Sequence, residues 1–165
     1  MPEKQTVERA RKAKRKGKSP STQAGEFVRE EIHHIREGKH GARSTKQAIA
    51  IGLSNARRAG VGLPPPEKGM VSEKTRRSAK RAYQAGQRGK PKTSRRRSKA
   101  TELALKREPR SAASRKALAR QARSAARKRT RTERSAIARR AARTKGRRGR
   151  PAAARKATRT RAERR

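Results

Sequence analysis

Two short runs of basic residues around glycine and proline have the residue types and spacing needed to contact the minor groove of DNA. The longer run is Lys145-Gly146-Arg147-Arg148-Gly149-Arg150-Pro151. Gly149 has no Cβ, so its backbone can lie against the groove floor. Arg148 and Arg150 can then extend along the groove, where narrow A·T tracts concentrate negative potential. Pro151 favours an extended backbone at Arg150, and the other basic residues of the run would reach the bordering phosphates.

The Arg-Gly-Arg-Pro core of this run resembles the AT-hook, a minor-groove motif found on otherwise disordered chains. The resemblance implies that residues 145–151 bind DNA and prefer A·T-rich duplex. A weaker copy, with Lys in place of the second Arg, is Arg88-Gly89-Lys90-Pro91. The alternative for both runs is solvated basic chain without a groove contact, because an Arg-rich sequence meets so short a pattern by chance.

The overall charge predicts the same partner. The chain has 53 Lys and Arg residues against 12 acidic residues, a formal net charge of +41. Each cation that meets a phosphate releases condensed counterions, so log affinity falls with log salt by about 0.9 per contact. Phosphate contacts position a protein without specifying bases. We therefore expect binding to nucleic acid with little sequence preference.

The chain has one Phe, one Tyr and no Trp. Proteins that bind RNA or single strands usually stack bases on aromatic side chains. This scarcity favours duplex DNA as the partner. RNA stays as an alternative, because Arg guanidinium planes can also stack on bases.

The basic residues must be positioned by a chain with few large apolar side chains. Leu, Ile, Val and Phe make up roughly 9 % of the sequence, a composition typical of disordered chains. We therefore predict a mostly disordered protein with α-helical segments. Its predicted parts are a basic disordered arm, a short antiparallel helical hairpin, a Gly/Pro spacer and a basic, fractionally helical tail that carries the AT-hook-like motif. Their bounds are 1–18, 19–60, 61–66 and 67–165.

The tail at 67–165 is rich in Ala, Arg and Lys. It resembles the C-terminal tails of linker histones and the basic Ala-rich tails of bacterial nucleoid-associated proteins. The resemblance is one of composition, and it implies charge neutralisation and compaction of DNA.

The segment 19–60 has the clearest helical pattern. Ser19 or Ser21 can cap a first helix, which Gly38 would end. Ser44 begins a capping box for a second helix. The apolar positions that predict the two packed faces recur at three- and four-residue spacing: Ala24, Phe27, Val28, Ile32 and Ile35, then Ile49, Gly52, Leu53 and Ala56. So small a core predicts pairing with a second copy or another protein, or ordering on binding.

Lys39-His40-Gly41 followed by the run from Gln47 to Ser54 is similar to a small uncharacterised bacterial family with a "KHG…KQAIAIGLS" signature. The resemblance covers about 19–62 and implies a bacterial origin, with no activity attached. A helix-turn-helix is the alternative for this segment. Arg58 stands where its recognition helix needs an apolar anchor, so ordinary hairpin packing is favoured.

Metal, membrane and catalytic functions are not predicted. Adjacent His33 and His34 point about 100° apart on a helix, His40 falls in a loop, and the chain has neither Cys nor Asp. We expect half-exposed surface histidines, no metal and no cofactor. The longest apolar run, 48–51, is too short to span a bilayer. No nucleophile and base stand together, so we predict that the chain is not an enzyme.

These patterns favour a non-enzymatic, DNA-binding architectural protein of the cytoplasm, associated with the nucleoid, or with chromatin if the source is eukaryotic. One alternative is an RNA- or ribosome-associated basic protein. Another is a hairpin that docks on a protein while the tail localises it to nucleic acid.

Overall fold

The computed structural model describes residues 2–89 and 94–163, except for the side chains of 144–153, 155–158, 160 and 161. Seven α-helices and one 3₁₀ helix occupy most of these residues. They are α1 Lys4–Arg15, α2 Pro20–Glu37, α3 Thr45–Arg58, α4 Glu73–Gln87, α5 Arg95–Lys106, the 3₁₀ helix Arg110–Ala113, α6 Arg115–Arg127 and α7 Arg131–Ala162. The chain divides into two compact units between Gln121 and Ala122, called unit 1 and unit 2 below.

The expectation of a mostly disordered chain was therefore wrong, although the predicted helical character is confirmed. The disorder prediction rested on the scarcity of large apolar side chains. The core of unit 1 instead uses alanine, whose small side chain lets helices approach closely and whose helix propensity is the highest of all residues. Nine of its buried hydrophobic positions are alanines: Ala10, Ala24, Ala42, Ala48, Ala56, Ala79, Ala82, Ala112 and Ala113.

Helices α2 and α3 pack against each other at the centre of unit 1 and run in opposite directions. Ala24 near the start of α2 shares a buried cluster with Ala56 near the end of α3. Ile35 at the other end of α2 shares a second cluster with Ala48. The predicted apolar face of α2 is confirmed, with Phe27 only 1 % exposed.

Gly52 sets the closest approach of the two helices. A Cβ at this position would lie 2.7 Å from the Cα of Val28 and 3.1 Å from the carbonyl oxygen of Phe27. Because those atoms belong to the backbone of α2, no rotamer change would relieve the contact. The glycine in the middle of the recognised signature is therefore required by helix packing.

The caps of this hairpin follow the sequence closely. Ser19 accepts the backbone N–H of Thr22, and Gly38 ends α2 with φ of 81°. Ser44 accepts the N–H of Gln47 at 3.2 Å. These groups satisfy backbone atoms that a helix end leaves without partners.

Segments outside 19–60 cover the hairpin. Helix α1 packs on α2 and buries Thr6 and Ala10. Helix α4 packs on α3 and buries Ala79 and Ala82. Val61 and Leu63 join the core as well, and buried Arg57 donates to the carbonyl oxygens of Leu63 and Pro64. The residues predicted as arm and spacer are thus packed against the hairpin.

The chain around the 3₁₀ helix docks on the loop between α2 and α3. The Gly41 N–H donates to the Leu105 carbonyl at 2.9 Å, and the Ala42 N–H donates to Pro109 at 3.1 Å. The Thr45 hydroxyl donates to the Ala112 carbonyl at 2.7 Å. A Cβ on Gly41 would overlap the carbonyl of Glu108. Backbone contacts thus fix this part of the fold together with the packing of Ala112 and Ala113 in one cluster with Ile32 and Ile35.

Unit 2 contains the long helix α7. Thr130 caps its start: the hydroxyl accepts the N–H of Glu133, and the Glu133 carboxylate accepts the N–H of Thr130 at 2.7 Å. Side chains along the described first third of α7 are mostly exposed, including Ile137 at 47 %. Among the helices of the described ranges, none combines the length and apolar character needed to cross a membrane.

Candidate functional site

A row of basic side chains lies on the outer side of α4. Lys74, Arg77 and Arg81 recur at three- and four-residue spacing and are exposed. Residues at this spacing share one face of a helix. The row is held in place from behind, because Ala79 and Ala82 are buried against the rest of unit 1.

Gly86 allows α4 to pack closely on the end of α3. A Cβ on Gly86 would overlap the carbonyl oxygen of Arg57 at the end of α3. Helix α4 therefore lies directly on the α3 backbone and presents its cations from a fixed position. Fixed cations lose less side-chain and backbone freedom on meeting phosphates than cations on a flexible chain. This row was not predicted from the sequence, although the spacing of Lys74, Arg77 and Arg81 opposite small residues could have indicated it.

The weaker AT-hook-like run, residues 88–91, begins directly after α4. Arg88 is the C-terminal cap of α4 and is exposed, and Gly89 has φ of 92°. Lys90 and Pro91 lie outside the described residues. The structure thus places Arg88 beside the α4 row but does not describe the rest of the motif.

The longer AT-hook-like run, residues 145–151, lies within α7. The backbone is helical through all of its residues: Lys145, Arg147, Arg148, Gly149, Arg150 and Pro151. The extended backbone that Pro151 was expected to impose on Arg150 is not observed. A helix is about 10–12 Å wide with its side chains, whereas the minor groove is only about 6 Å wide. A minor-groove contact therefore requires this part of α7 to unwind.

Basic residues are spread around the described first part of α7. At 3.6 residues per turn, its arginines from Arg131 to Arg143 do not share one face of the helix. Arg131, Arg134, Arg139 and Arg143 are exposed. This part of α7 therefore presents cations in several directions and can contact phosphates from more than one side.

The histidines differ from the surface positions predicted for them. The side chain of His33 is exposed, at 68 %, but those of His34 and His40 are only 18 % and 16 % exposed. The end of α2 and the following loop bring these two rings together, with their centroids 6.2 Å apart. The pairing of His34 with His40 could not be predicted from the sequence, because His40 belongs to the loop, whose path depends on the docking at Gly41.

Two buried glutamates, Glu30 and Glu31, accompany these rings. Burial raises the pKa of Glu31, against the lowering effect of His40. Glu3 is exposed, and hydrogen bonds from His34 and Lys39 lower its pKa. Arg36, near the same end of α2, donates to the Ala113 carbonyl oxygen at 2.9 Å.

Comparison with known proteins gives a match over part of the chain. Residues 3–68 match the model of a family of unknown function, DUF6496. The matched region contains α1, α2 and α3 and agrees with the similarity to an uncharacterised small domain. It ends before α4, so the likeness of the basic tail to linker histones has no counterpart in it. Searches of curated proteins and of solved structures gave no match.

Proposed function

We propose that this chain is a non-enzymatic protein that binds the phosphate backbone of duplex DNA and helps to compact it in a nucleoid or chromatin. One observation carries the proposal. The 53 Lys and Arg residues exceed the 12 acidic residues so far that a formal net charge of +41 is left uncompensated within the chain. Such an excess is neutralised most simply by a polyanion with regularly spaced charges.

Unit 1 contributes a shaped surface to this function. The α4 row presents Lys74, Arg77 and Arg81 from a helix that is packed on α3. The row spans about 10 Å at 1.5 Å per residue. This distance suits contacts to successive phosphates along one strand, without any base contact.

The buried position of Phe27 supports duplex DNA over single strands. Its ring is 1 % exposed and belongs to the core, so it is unavailable for base stacking. Tyr83 on α4 is then the one remaining aromatic of the chain. A single half-buried ring gives little of the stacking surface that RNA and single-strand binders use.

The finer proposal is an A·T preference through Arg148 and Arg150. Since the backbone of 145–151 is helical, this contact would be coupled to local unwinding of α7. Gly146 and Gly149 weaken the helix there, which favours unwinding at this site over other parts of α7.

Binding to A·T-rich duplex, G·C-rich duplex and structured RNA, each titrated over salt, tests the proposal. We expect both duplexes to bind more tightly than RNA at matched salt, with a steep salt dependence. Tighter binding of RNA would favour the ribonucleoprotein alternative. Undetectable binding to all three at low salt would exclude nucleic acid as the partner.

Paired variants test the two surfaces. Replacing Lys74, Arg77 and Arg81 by Ala should weaken DNA binding and should reduce the slope of log affinity against log salt by about 2–3. The matched control replaces Arg95, Arg96 and Arg97, three exposed cations in the first turn of α5. An equal loss in both would show that α4 contributes charge alone, without a shaped site.

Arg148→Ala with Arg150→Ala should reduce the A·T preference by about 1–3 kcal/mol per lost groove contact. Arg139→Ala with Arg143→Ala is the control within the same helix. The control should weaken binding to both duplexes equally. If the two double variants behave alike, the hook makes no groove contact.

A further inference from the structure

One end of α2 brings together a buried carboxylate and two imidazoles. Glu31, His34 and His40 each offer a ligand atom, and these atoms all lie within 4.8 Å of one another. Glu31 and His34 are three residues apart on α2, and His40 is supplied by the loop. The distance between Glu31 Oε1 and His40 Nε2 is 3.5 Å.

The hydrogen bonding of His40 directs a lone pair at this carboxylate. Its Nδ1 lies 3.1 Å from the carbonyl oxygen of Gly41. A carbonyl only accepts hydrogen bonds, so Nδ1 must donate. In the neutral ring, Nε2 is then unprotonated. Two acceptors, His40 Nε2 and Glu31 Oε1, face each other.

Glu31 lacks the partner that a buried carboxylate needs. Its side chain is 5 % exposed, and within the described part of the chain Oε1 has no hydrogen-bond partner. A buried carboxylate oxygen without a partner costs far more than a buried apolar atom. A cation between Glu31 and His40 would remove both this cost and the repulsion between the lone pairs.

We propose that Glu31, His34 and His40 form a binding site for a divalent transition-metal ion of the zinc class. Ligands about 2.0–2.1 Å from a tetrahedral ion lie roughly 3.4 Å apart. The Glu31–His40 distance of 3.5 Å already matches this spacing. Imidazole with carboxylate suits zinc and its neighbours in the first transition row.

A second layer of groups supports the ligands. The Nε2 of His34 lies 2.9 Å from the Glu3 carboxylate, and His40 donates to a backbone carbonyl. Such partners orient the rings of metal-binding histidines and raise their basicity. The Glu3 N–H donates to the Glu30 carboxylate at 2.6 Å, so Glu30 links this layer to the start of α1.

A groove of about 480 Å³ reaches one of the three ligands, because His34 lines it together with Glu3 and Glu30. Glu3, Glu30 and Glu37 are balanced along this groove by Arg9, Arg29 and Lys39, so its lining is locally neutral in a strongly basic chain. The bound ion would join α2 to the 38–44 loop, the loop on which the 3₁₀ region docks.

Zinc titration of the full chain, freed of nucleic acid and held in a phosphate-free buffer, tests the proposal by calorimetry. We expect one ion per chain and a higher melting temperature with zinc. His34→Ala, His40→Ala and Glu31→Gln should each weaken binding at least about 10-fold. His33→Ala is the matched control, because His33 is adjacent and exposed; it should leave the affinity unchanged.

The unaltered chain gives a test that does not depend on the folding of variants. The sequence has three histidines, so NMR yields three assignable pairs of ring signals. Zinc should shift those of His34 and His40 and leave those of His33 in place. Cobalt(II) should give the intense visible absorption of a tetrahedral site.

The proposal is wrong if millimolar zinc produces neither heat nor ring shifts. It is also wrong if His33→Ala weakens binding as much as His40→Ala, which would indicate surface chelation. Ring signals that report only protonation of His40, with or without zinc, would show that a proton occupies the position instead.

Discussion

Unit 1 and helix α7 have similar residue types but use them in different ways. In unit 1, nine alanines on α1 to α4, in the 38–44 loop and in the 3₁₀ helix are buried at 0–8 % exposure. In the described first part of α7, arginines and alanines are interspersed without a common small-residue face, and side chains up to Arg143 are mostly exposed. Composition alone predicts disorder for both regions. The spacing of small residues decides which of them builds a core.

Closely packed glycines are a second feature of the core of unit 1. Gly41, Gly52 and Gly86 each lie where a Cβ would meet backbone atoms of another segment. Close backbone contact brings many atoms within dispersion range even when the side chains are small. Unit 1 thus obtains from close approach what larger side chains supply in other proteins.

Removing the one large ring of the core should have the largest effect. Phe27 is 1 % exposed, so Phe27→Ala should lower the free energy of unfolding of unit 1 by about 3–5 kcal/mol. Ile137→Ala in the exposed part of α7 should change the stability by no more than about 0.5 kcal/mol. Urea denaturation followed by circular dichroism measures both. Similar losses for the two variants would contradict the contrast between the regions.

Two glycines of the hairpin should respond to alanine with opposite signs. Gly52→Ala places a Cβ against the α2 backbone and should destabilise unit 1 by about 1–3 kcal/mol. Gly25 in α2 has no described heavy atom within 4 Å of such a Cβ. Gly25→Ala should therefore stabilise the helix by about 0.5–1 kcal/mol. Melting temperatures compare them directly, and a shared sign would mean that close approach at Gly52 does not limit packing.

Gly86→Ala tests whether α4 is fixed to the rest of unit 1. Its Cβ would overlap the Arg57 carbonyl, so we expect a loss of about 1–2 kcal/mol, limited by the freedom of α4 to move away. Hydrogen exchange should accelerate in α4 more than in α2. Unchanged exchange of the α4 amides would show that the helix is not held there, and the fixed position of the α4 row would then fail as an argument.

The sequence predicts the hairpin well because its signals are local. Ser19, Gly38 and Ser44 act within one helical turn, and the face that includes Phe27 follows from a 3.6-residue period. The covering of the hairpin could not be predicted in this way. It depends on contacts between distant backbone groups, such as Gly41 with Leu105, and these leave no periodic pattern in either segment.

The histidine–glutamate site could be predicted only in part. The spacing of Glu31 and His34 places both on one side of α2, and this much is visible in the sequence. His40 joins them because the 38–44 loop docks on residues 105–113. The third ligand therefore depends on a long-range contact.

The smallest expected effect concerns the start of α3 and the start of α7, where a side chain in the first turn accepts a backbone N–H. At α3, Gln47 accepts the Arg43 N–H; at α7, Glu133 accepts the Thr130 N–H. Hydrogen bonds from the backbone and hydroxyl of Thr130 lower the pKa of Glu133 below its ordinary 4.5. A lowered carboxyl pKa stabilises the fold above the ordinary value, and this contribution is lost as pH falls through the lowered one.

Acidification should thus weaken the capping of the first turn of α7. The start of α3 should not respond in this way, because its side-chain acceptor is the amide of Gln47, which does not titrate. Cα chemical shifts of residues 130–134 and 44–48, followed from pH 7 to pH 3, measure the two starts separately. Glu133→Gln should remove the pH dependence at α7, and Gln47→Glu should introduce it at α3. If Glu133→Gln leaves the acid response of residues 130–134 intact, another group controls the start of α7, since an amide at position 133 does not titrate in this range.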